Sequence, residues 1–577
     1  MELAPNIYLN KILEYDDLFF GEEIDIETTL CKYSRELIVD LVNCLALTYE
    51  NAYIPDANNP YFSYSTPQVR DLDSKLSSFL CRTHRKNICY CTSRSILELM
   101  RYTFSIPHDK YLRSNDLIDF EYDLFKVILK INQQLMHFSS QPGDEDVVTL
   151  TFLLNYISND VINTNWKTTF QTQIYYINSL LSFLQSHSVG KMLLERFCQQ
   201  LKIPSVKEYE QTIWAIIVLY TNQKKEKSRS CPRLDLNSIS DHSGFLHKEV
   251  CEYLSLGVNK YVPYSNVADI ARDGNVDYRE FRSHPLIKID DQKYIIYNLP
   301  LLIERLYNSL FFDLKPFYKG NFFNYYNKEF VERWLFHRTM LLCLGKKVSA
   351  YYPLREDIES ADPIEEFSNA PDFYIRENDS IILFECKGIK INGSIKDTAD
   401  VDEFIRVLKN KLFLSTENLD TKRKQKSKTE FVGISQLVNS IDLIEDDVFE
   451  PDKHIPLEVS YYPVIVFEDS KLAQMGMMGL LNKWYHQYLV ERGLVEQVCN
   501  PIIPISISTL YLFSDKFKIF GFQKIFDEFL SKNLTMGENG SKVLSPFSDF
   551  DNYMYQRYQI STQIRREYQI YTKKICN

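Results

Sequence analysis

The chain has 577 residues, of which 45% are hydrophobic and 25% charged, and 77 acidic residues against 66 basic ones give a formal net charge of −11. This composition is typical of a globular protein with two to four domains, and it excludes a disordered chain or a small disulfide-stapled scaffold. The acidity also argues against a surface that binds nucleic acid throughout, although a local basic groove remains compatible with it.

The first residues and the apolar runs bear on location. The stretch MELAPNIYLNKILEYDD is acidic and lacks the basic and apolar layout of a signal peptide. The longest apolar runs, such as 214–220, are too short to cross a bilayer. We therefore expect a cytoplasmic protein that does not bind a membrane.

Apolar residues recur at helical spacing through the N-terminal part of the chain, which predicts successive amphipathic helices. Together they predict an all-α domain over 1–225. It carries no repeat of fixed period and no catalytic motif, so we expect it to sense a trigger, recruit a protein partner or form a homo-oligomer. The predicted helices are 26–49, 74–79, 93–102, 115–138, 147–162, 172–185, 190–200 and 206–221.

One group of cysteines has partial metal-site spacing. Cys81, His84, Cys89 and Cys91 fall within eleven residues, and the first two are separated as in zinc sites. The last two are only two positions apart, and the intervening loop is short. Scattered reduced thiols are therefore the preferred interpretation, and zinc binding stays open.

The middle of the chain predicts a connection to a second folded unit. Residues 226–320 are predicted as a linker, polar over 224–241, followed by a small hairpin and helix over 281–313. Residues 327–344 predict an amphipathic helix, with Asn327 as its N-cap and Gly345 just beyond its end. Residues 346–354 predict the first strand of an α/β domain over 321–540.

The stretch APDFYIRENDSIILFECKG, residues 370–388, predicts a β-hairpin. β-Forming residues at 373–376 and 380–387 flank turn-forming residues at 377–380. If Asn378 and Asp379 form the loop, the apolar positions of both strands fall on one common face. A slip of one residue would separate them, so the hydrophobic pattern supports this register.

The same register assembles a group of chemistry-bearing side chains. Asp372 lies opposite Glu385, about 5 Å away at Cβ, and strand alternation puts Lys387 on the same face. Two such carboxylates bind Mg²⁺ or Mn²⁺ through oxygen, and a lysine can orient a water or offset charge in a transition state. Cys386 faces the core and would offer the metal only its backbone carbonyl.

These residues resemble the PD-(D/E)xK nuclease superfamily, which has the restriction-endonuclease-like fold. Pro371–Asp372 matches the first half of its motif, and Glu385, Cys386 and Lys387 match the second. The resemblance covers residues 321–515 and implies a mixed sheet flanked by helices in the order α-β-β-β-α-β. It implies metal-dependent phosphodiester hydrolysis, with Asp372, Glu385 and Lys387 as catalytic residues and DNA as the expected substrate.

The resemblance also implies an acidic residue on the helix that precedes the sheet. Glu329 and Glu332 are the two candidates on the predicted helix 327–344. Glu332 borders its apolar stripe and is chosen as the accessory metal ligand. The alternative is that both are solvated helix residues, an interpretation favoured for Glu329 because acids are common in a first helical turn.

Two features downstream are candidates for nucleic-acid contact. The run 421–428 is basic, and its Lys422, Arg423, Lys424 and Lys426 could reach phosphates, although such a run is equally typical of a solvated loop. On the predicted helix 431–444, Gln436 matches the glutamine of the QxxxY pattern found in some branches of the superfamily. Ser440 stands where that tyrosine belongs, so a plain helix position is favoured for Gln436.

The rest of the α/β domain predicts strands at 461–467 and 502–508 and a helix at 471–492, followed by a C-terminal helix over 553–574 within 541–577. We expect a Mg²⁺- or Mn²⁺-dependent endonuclease, acting on DNA in restriction, antiviral defence or DNA processing and controlled by its helical domain or a partner. RNA as substrate stays open. The alternatives are a catalytically silent nuclease-fold subunit that binds nucleic acid or protein, and a helical scaffold with a coincidental motif.

Overall fold

Helices dominate the described part of the N-terminal third. The computed structural model describes residues 11–39, 67–83, 88–112, 119–135, 166–225, 233–236, 246–257, 278–288, 290–296, 298–359, 370–391, 395, 401–417, 428–494, 499–536, 542–545 and 548–576. The predicted helix 147–162 and residues 40–49 lie outside these ranges. Within residues 11–135, the helices are Tyr15–Phe19, Ile26–Cys31, Pro67–Thr83, Ser93–Ser105 and Phe120–Leu135.

These first helices surround one apolar core, but the unit is not all-α as predicted. Residues from Leu13 to Ile131 form a continuous buried cluster. The strands β1 (Lys11–Ile12) and β2 (Ile88–Cys89) pair in parallel beside it. Pairs this short carry no pattern of alternation, so sequence periodicity does not indicate them.

The next three helices match the predicted positions but not the predicted domain boundary. They are Trp166–Ser186, Ser188–Leu201 and Val206–Lys225. Their apolar faces belong to the same buried cluster as the C-terminal sheet. Phe183, for example, packs its ring edge-on against Trp334 at 5.5 Å. The predicted division at residue 225 is therefore wrong for 166–225, because periodicity identifies an apolar face without identifying what covers it.

A four-stranded mixed sheet follows. Its strands are β3 (Arg233–Asp235), β4 (Ser255–Gly257), β5 (Leu286–Lys288) and β6 (Lys293–Ile296), in the order β3-β6-β5-β4. The predicted hairpin is β5–β6, while part of the predicted linker is an edge strand. Leu286 and Tyr294 lie in the core shared with the C-terminal half, whereas Ile287 and Ile295 lie in the N-terminal core. This sheet therefore separates two cores. Its associated helices are Lys248–Tyr253, Arg279–Ser283, Leu299–Glu304 and Leu310–Leu314.

The C-terminal half contains a five-stranded mixed sheet in the order β13-β12-β9-β8-β7. The strands β7, β8 and β9 are antiparallel neighbours, and β9, β12 and β13 run parallel. Two helices lie between β9 and β12, in agreement with the helices predicted from the sequence at 401–414 and 431–444, and the hairpin β10–β11 between them was not predicted. The strands are β7 (Ala350–Tyr352), β8 (Phe373–Glu377), β9 (Ser380–Lys387), β10 (Leu414–Glu417), β11 (Lys428–Phe431), β12 (Ser460–Phe467) and β13 (Ile503–Ser506).

A long helix crosses one face of this sheet, and we call it the site helix. It consists of an α-helical turn Phe322–Tyr325, a π-helical segment Tyr326–Phe336 and an α-helical segment His337–Cys343. The predicted start at Asn327 is wrong: the side chain of Asn321 accepts the N–H of Asn324 at 3.2 Å and caps the helix. Gly345 follows the end as predicted, and a Cβ there would meet Lys518 O at 2.0 Å.

Helices complete the domain. The predicted helix 471–492 begins at Met477 after a short 3₁₀ turn, and the predicted strand 502–508 ends at Ser506, whose side chain caps the next helix by accepting Thr509 N–H. The predicted C-terminal helix is two helices, Phe550–Arg557 and Thr562–Cys576.

In the part of the chain that is described, no helix is long and apolar enough to cross a membrane. The remaining helices are Arg355–Glu359, Val401–Leu412, Ile434–Glu445, Met477–Arg492, Ile507–Leu512, Ser514–Phe520 and Phe522–Asn533, and β14 (Leu534–Met536) pairs with β15 (Lys542–Leu544).

Candidate active site

The hairpin β8–β9 has the predicted register. Phe373 pairs with Phe384 and Ile375 with Ile382. Asn378 takes a φ of +55° in the turn, a conformation that asparagine tolerates better than most residues. This register brings Asp372, just before β8, opposite Glu385 in β9. The backbone N–H of Asp372 points at Glu385 Oε2 over 3.4 Å.

The three predicted catalytic side chains meet at the end of β9. Lys387 Nζ donates to Glu385 Oε1 at 2.9 Å and lies 4.0 Å from Asp372 Oδ2. Asp372 Oδ2 also accepts the backbone N–H of Cys386 at 2.7 Å, which fixes the orientation of its carboxylate. The Glu385 side chain is fully buried, while those of Asp372 and Lys387 keep 24% and 16% of their exposure. A substrate can therefore reach two of the three groups directly.

Cys386 lies on the opposite face of β9, as predicted. Its side chain is fully buried in the core shared by the helices 166–225 and the C-terminal sheet. Burial raises the pKa of its thiol well above the ordinary range. The thiol is therefore neutral and points away from the carboxylates, so the backbone carbonyl of Cys386 is the group it can offer to a metal.

The site helix brings a third carboxylate to this place. Glu332, on its π-helical segment, is half-buried and interacts electrostatically with Lys387 and Asp372. Glu329, three residues earlier, instead forms an ion pair with Arg333 at 2.9 Å. Of the two predicted acidic candidates, Glu332 thus adjoins the site and Glu329 is engaged along the helix surface.

Two further residues of the site helix hold the hairpin, a role that was not predicted from the sequence. Asn327 Nδ2 donates to Gly388 O at 2.6 Å, directly after the catalytic strand. A Cβ at Gly388 would lie 2.5 Å from Asn327 Oδ1, so only glycine permits this approach. His337 Nε2 donates to Asp372 O at 2.9 Å. The sequence signals were weak: Asn327 looked like a helix cap, and a lone histidine on an apolar helix is common.

A buried ion pair supports the segment after Lys387. Glu468 follows β12, and its Oε2 lies 2.7 Å from Lys390 Nζ. The hydroxyl of Tyr307 donates to the other oxygen of Glu468 at 2.8 Å. The Glu468 side chain is 1% exposed, so this pair is shielded from water and anchors the chain beyond the catalytic lysine.

The site contains more acidic than basic groups, and the pKa values of its side chains reflect this. Burial and, to a smaller extent, the neighbouring charge of Asp372 together raise the pKa of Glu385 to about 8. Burial likewise raises the pKa of Glu332 to about 7 against the opposing effect of Lys387. Burial alone would lower the pKa of Lys387, but Glu385, Asp372 and Glu332 outweigh it and raise that pKa. Lys387 is therefore charged, and it neutralises only part of three clustered acids.

This donor set fits a hard divalent cation. Among the described residues, no three acidic, histidine or cysteine side chains already converge on one point as ion ligands. Two carboxylates nevertheless lie side by side at the hairpin, with Glu332 and the carbonyl of Cys386 nearby. All of these are oxygen donors, which Mg²⁺ and Mn²⁺ prefer, and the uncompensated charge favours a cation.

The remaining predicted contact residues lie elsewhere. Gln436 sits in the first turn of the helix Ile434–Glu445, where its Oε1 accepts the N–H of Gly433 at 2.8 Å and caps that helix. The basic residues Lys422, Arg423, Lys424 and Lys426 lie outside the described residues, between the paired strands β10 and β11. Of the possible zinc ligands, Cys81 is exposed and Cys91 is buried, and His84 lies outside the described residues.

Comparison with known proteins adds no relative to this picture. No protein-family model matches the sequence, and no curated protein matches it.

Proposed function

We propose that the protein is a metal-dependent nuclease that hydrolyses phosphodiester bonds. The observation that carries this proposal is the arrangement at the end of β9, where Asp372 and Glu385 lie side by side and Lys387 contacts both. Paired carboxylates bind the cation that an anionic substrate requires, and the lysine supplies a fixed positive charge beside them.

The fold around the site supports the proposal. A helix, an antiparallel three-stranded unit and a parallel strand reached through a helical crossover occur in the order expected from the resemblance to PD-(D/E)xK nucleases. The site helix contributes Glu332 from the position where that superfamily carries an accessory acid. This likeness rests on topology and motif together, and function is inferred from the site rather than from the fold.

Each residue has a definable task in this reaction. Asp372, Glu385 and the carbonyl of Cys386 would hold Mg²⁺ or Mn²⁺, with Glu332 as an accessory ligand. When bound, the metal polarises the phosphate and lowers the pKa of a water. Lys387 would orient that water and offset the charge that develops on the phosphate. The water oxygen would bond to phosphorus and lose a proton to solvent, the bond to the leaving sugar oxygen would break, and that oxygen would take a proton from solvent.

The proposed substrate is DNA, as the resemblance implies, and the role is defence or DNA processing. With a net charge of −11, the chain offers little general attraction to nucleic acid. We therefore infer that a partner or trigger acting through the helical N-terminal part controls when the site is used.

A substrate panel tests the proposal. Supercoiled plasmid, linear duplex, single-stranded DNA and RNA are incubated with the full chain and Mg²⁺, Mn²⁺ or EDTA. We expect cutting of DNA that requires metal and that Asp372→Ala and Lys387→Ala each abolish. Cutting in EDTA, or cutting retained by both variants, would overturn the assignment.

Glu332 and Glu329 provide a matched pair for the accessory ligand. Both are glutamates one turn apart on the site helix, but only Glu332 adjoins the catalytic group. Glu332→Gln should lower activity and raise the metal concentration needed for half-maximal cutting, whereas Glu329→Gln should change neither. Metal binding by a wild type that cuts none of the four substrates would favour the catalytically silent alternative.

A further inference from the structure

A second concave site lies apart from the catalytic group. A cavity of about 420 Å³ opens between the helix Trp166–Ser186, the site helix and the C-terminal helix Thr562–Cys576. Asp372, Glu385 and Lys387 do not line it. Its volume falls within the roughly 300–1,000 Å³ typical of small-ligand pockets.

One cation in the wall of this cavity has unused hydrogen-bonding capacity. The Arg338 guanidinium lies over the ring of Trp334, 3.9 Å from its centroid. Its Nε is buried and meets no hydrogen-bond acceptor among the described residues, and its Nη2 makes only a long 3.4 Å contact to Ile358 O. The nearby Glu359 is paired with Arg355 at 3.0 Å instead.

This arrangement favours an anionic ligand. A guanidinium that is partly desolvated and lacks a carboxylate partner gains most from a group that accepts two parallel N–H bonds. Phosphate and carboxylate have that geometry. Trp334 behind the guanidinium holds it in place, so little side-chain entropy is lost when an anion binds.

The other walls favour a flat aromatic group next to that anion. Tyr175 and Tyr511 stack on each other with centroids 3.8 Å apart and ring planes 7° from parallel. Tyr568 and Trp334, both half-buried, add further ring surface to the lining. Preformed aromatic surfaces of this kind bind nucleobases by stacking, at about 1–3 kcal/mol per base.

Polar groups in the lining can bind the edge of such a ring. The helix Trp166–Ser186 contributes the amides of Gln171 and Asn178, which have both donors and acceptors. Glu567, on the C-terminal helix, is exposed and can accept hydrogen bonds from an amino group or a ribose hydroxyl. A ligand that combines an anionic group, an aromatic ring and polar groups on the edge of that ring would therefore fit this cavity.

We propose that this cavity is a nucleotide-binding site, in which Arg338 binds the phosphate and the aromatic walls bind the base. The nucleotide is either a free mononucleotide or one residue of a nucleic-acid strand. The site helix connects it to the catalytic group, since Trp334 and Arg338 flank His337, which contacts Asp372. The proposal does not depend on nuclease activity, because binding is measured in EDTA, where no metal-dependent cutting occurs.

Calorimetric titration of the full chain in EDTA tests the proposal. The probes are AMP, CMP, GMP and UMP, adenosine without phosphate, inorganic phosphate, and a single-stranded DNA decamer. Arg338→Gln should weaken nucleotide binding at least about tenfold, and Arg338→Lys should weaken it less. Arg565→Gln is the matched control, an exposed arginine on the helix Thr562–Cys576 that does not line the cavity, and it should bind as the wild type does.

The probes separate the two sources of the nucleotide. Mononucleotide binding identifies a free ligand, and binding of the decamer alone identifies a strand. The proposal is overturned if neither binds at millimolar concentration, or if Arg338→Gln binds both as tightly as the wild type. It is also overturned if inorganic phosphate binds as tightly as the nucleotides, because the aromatic walls would then contribute nothing. Thermal unfolding should show that Arg338→Gln is as stable as the wild type.

Discussion

The two ends of the hairpin β8–β9 differ in how their buried charges are balanced. Near the turn, Asp452 Oδ2 meets Arg376 Nε at 2.6 Å and Tyr374 OH at 2.9 Å. Burial raises the pKa of Asp452, but Arg376 and the other donors outweigh it, so that this pKa is lowered. At the far end, burial raises the pKa of Glu385 to about 8.

The difference teaches how a structural ion pair can be told from a functional one. Each acid at the turn end has its own partner: Asp452 has Arg376, and both oxygens of Glu377 accept backbone N–H groups of Phe522 and Gln523 at 3.0 Å. At the other end, several acids share Lys387. A protein gains no stability from such a surplus, and the proposed metal ion would account for it.

The largest expected effect is a loss of cutting activity at the end of the hairpin that carries Asp372, Glu385 and Lys387. Glu385→Gln should lower cutting by about a thousandfold, because it removes a metal-binding carboxylate without changing the shape of the site. It should leave the free energy of unfolding nearly unchanged at neutral pH, because a Glu385 with a pKa of about 8 is mostly uncharged there and glutamine has nearly the same shape. Cutting rates and urea unfolding measured on the same preparation check this, and a large loss of stability would contradict it.

Near the turn, where Asp452 pairs with Arg376, we expect a substitution to change stability and not activity. Asp452→Asn should lower the free energy of unfolding by about 3 kcal/mol, because it leaves Arg376 without its buried partner. Cutting below the unfolding transition should be retained. Urea unfolding measures the change, and Asp446→Asn, at an exposed position, is the control that should show none. Equal effects of Asp452→Asn and Glu385→Gln on activity would show that the two ends of the hairpin do not differ in their contribution to cutting.

A smaller effect is expected where the site helix holds the hairpin. Asn327→Ala removes the hydrogen bond to Gly388 O and should raise the metal concentration for half-maximal cutting about tenfold. A positioning role predicts that cutting recovers at high metal concentration, which a damaged fold would not show. Asn324→Ala makes the same substitution at an exposed position of the site helix, and it should require the metal concentration of the wild type.

The smallest effect on cutting is expected at a third pair of buried acids, Asp549 and Asp551, which tests whether unpaired acids alone mark a functional site. Asp549 caps the helix Phe550–Arg557, and burial raises its pKa to about 7. The stability it contributes is present below pH 3.8 and is lost as pH rises towards 7, by at most about 1.4 kcal/mol per pH unit.

Asp549→Asn keeps a capping side chain and removes the ionisation. Relative to the wild type, the variant should therefore gain stability as pH rises from 4 to 7, and its cutting should be unaffected. Unfolding curves at several pH values provide the measurement. A stability difference that does not vary with pH would show that Asp549 ionises normally.

Local pattern was enough to predict the core of the candidate site. The apolar alternation along 373–387 can be satisfied in one register only, and that register sets Asp372 against Glu385 and turns Cys386 inwards. Glu332 followed from its place beside the apolar stripe. In each case the deciding interactions lie within a few residues along the chain or directly across one turn, where sequence periodicity is informative.

The predictions that were wrong or missing concern contacts between segments that are far apart in sequence. The π-helical segment of the site helix has no signature in the sequence, and Asn327 meets Gly388 across 61 positions. The helices 166–225 showed an apolar face but not the sheet that covers it. Gln436 resembled a motif residue, while its position in a first turn made it a cap. The supporting pair of Lys390 and Glu468 likewise joins the segments that follow β9 and β12, which are far apart in sequence.

The four-stranded sheet β3-β6-β5-β4 has a consequence for how the protein can be divided. Its two faces belong to different cores, with Leu286 on one side and Ile287 on the other. A fragment cut on either side of it would carry a bare sheet face of isoleucine and tyrosine into water and would aggregate. The chain is therefore unsuitable for division into separate folded fragments, because this one sheet covers both the N-terminal core and the core of the C-terminal half.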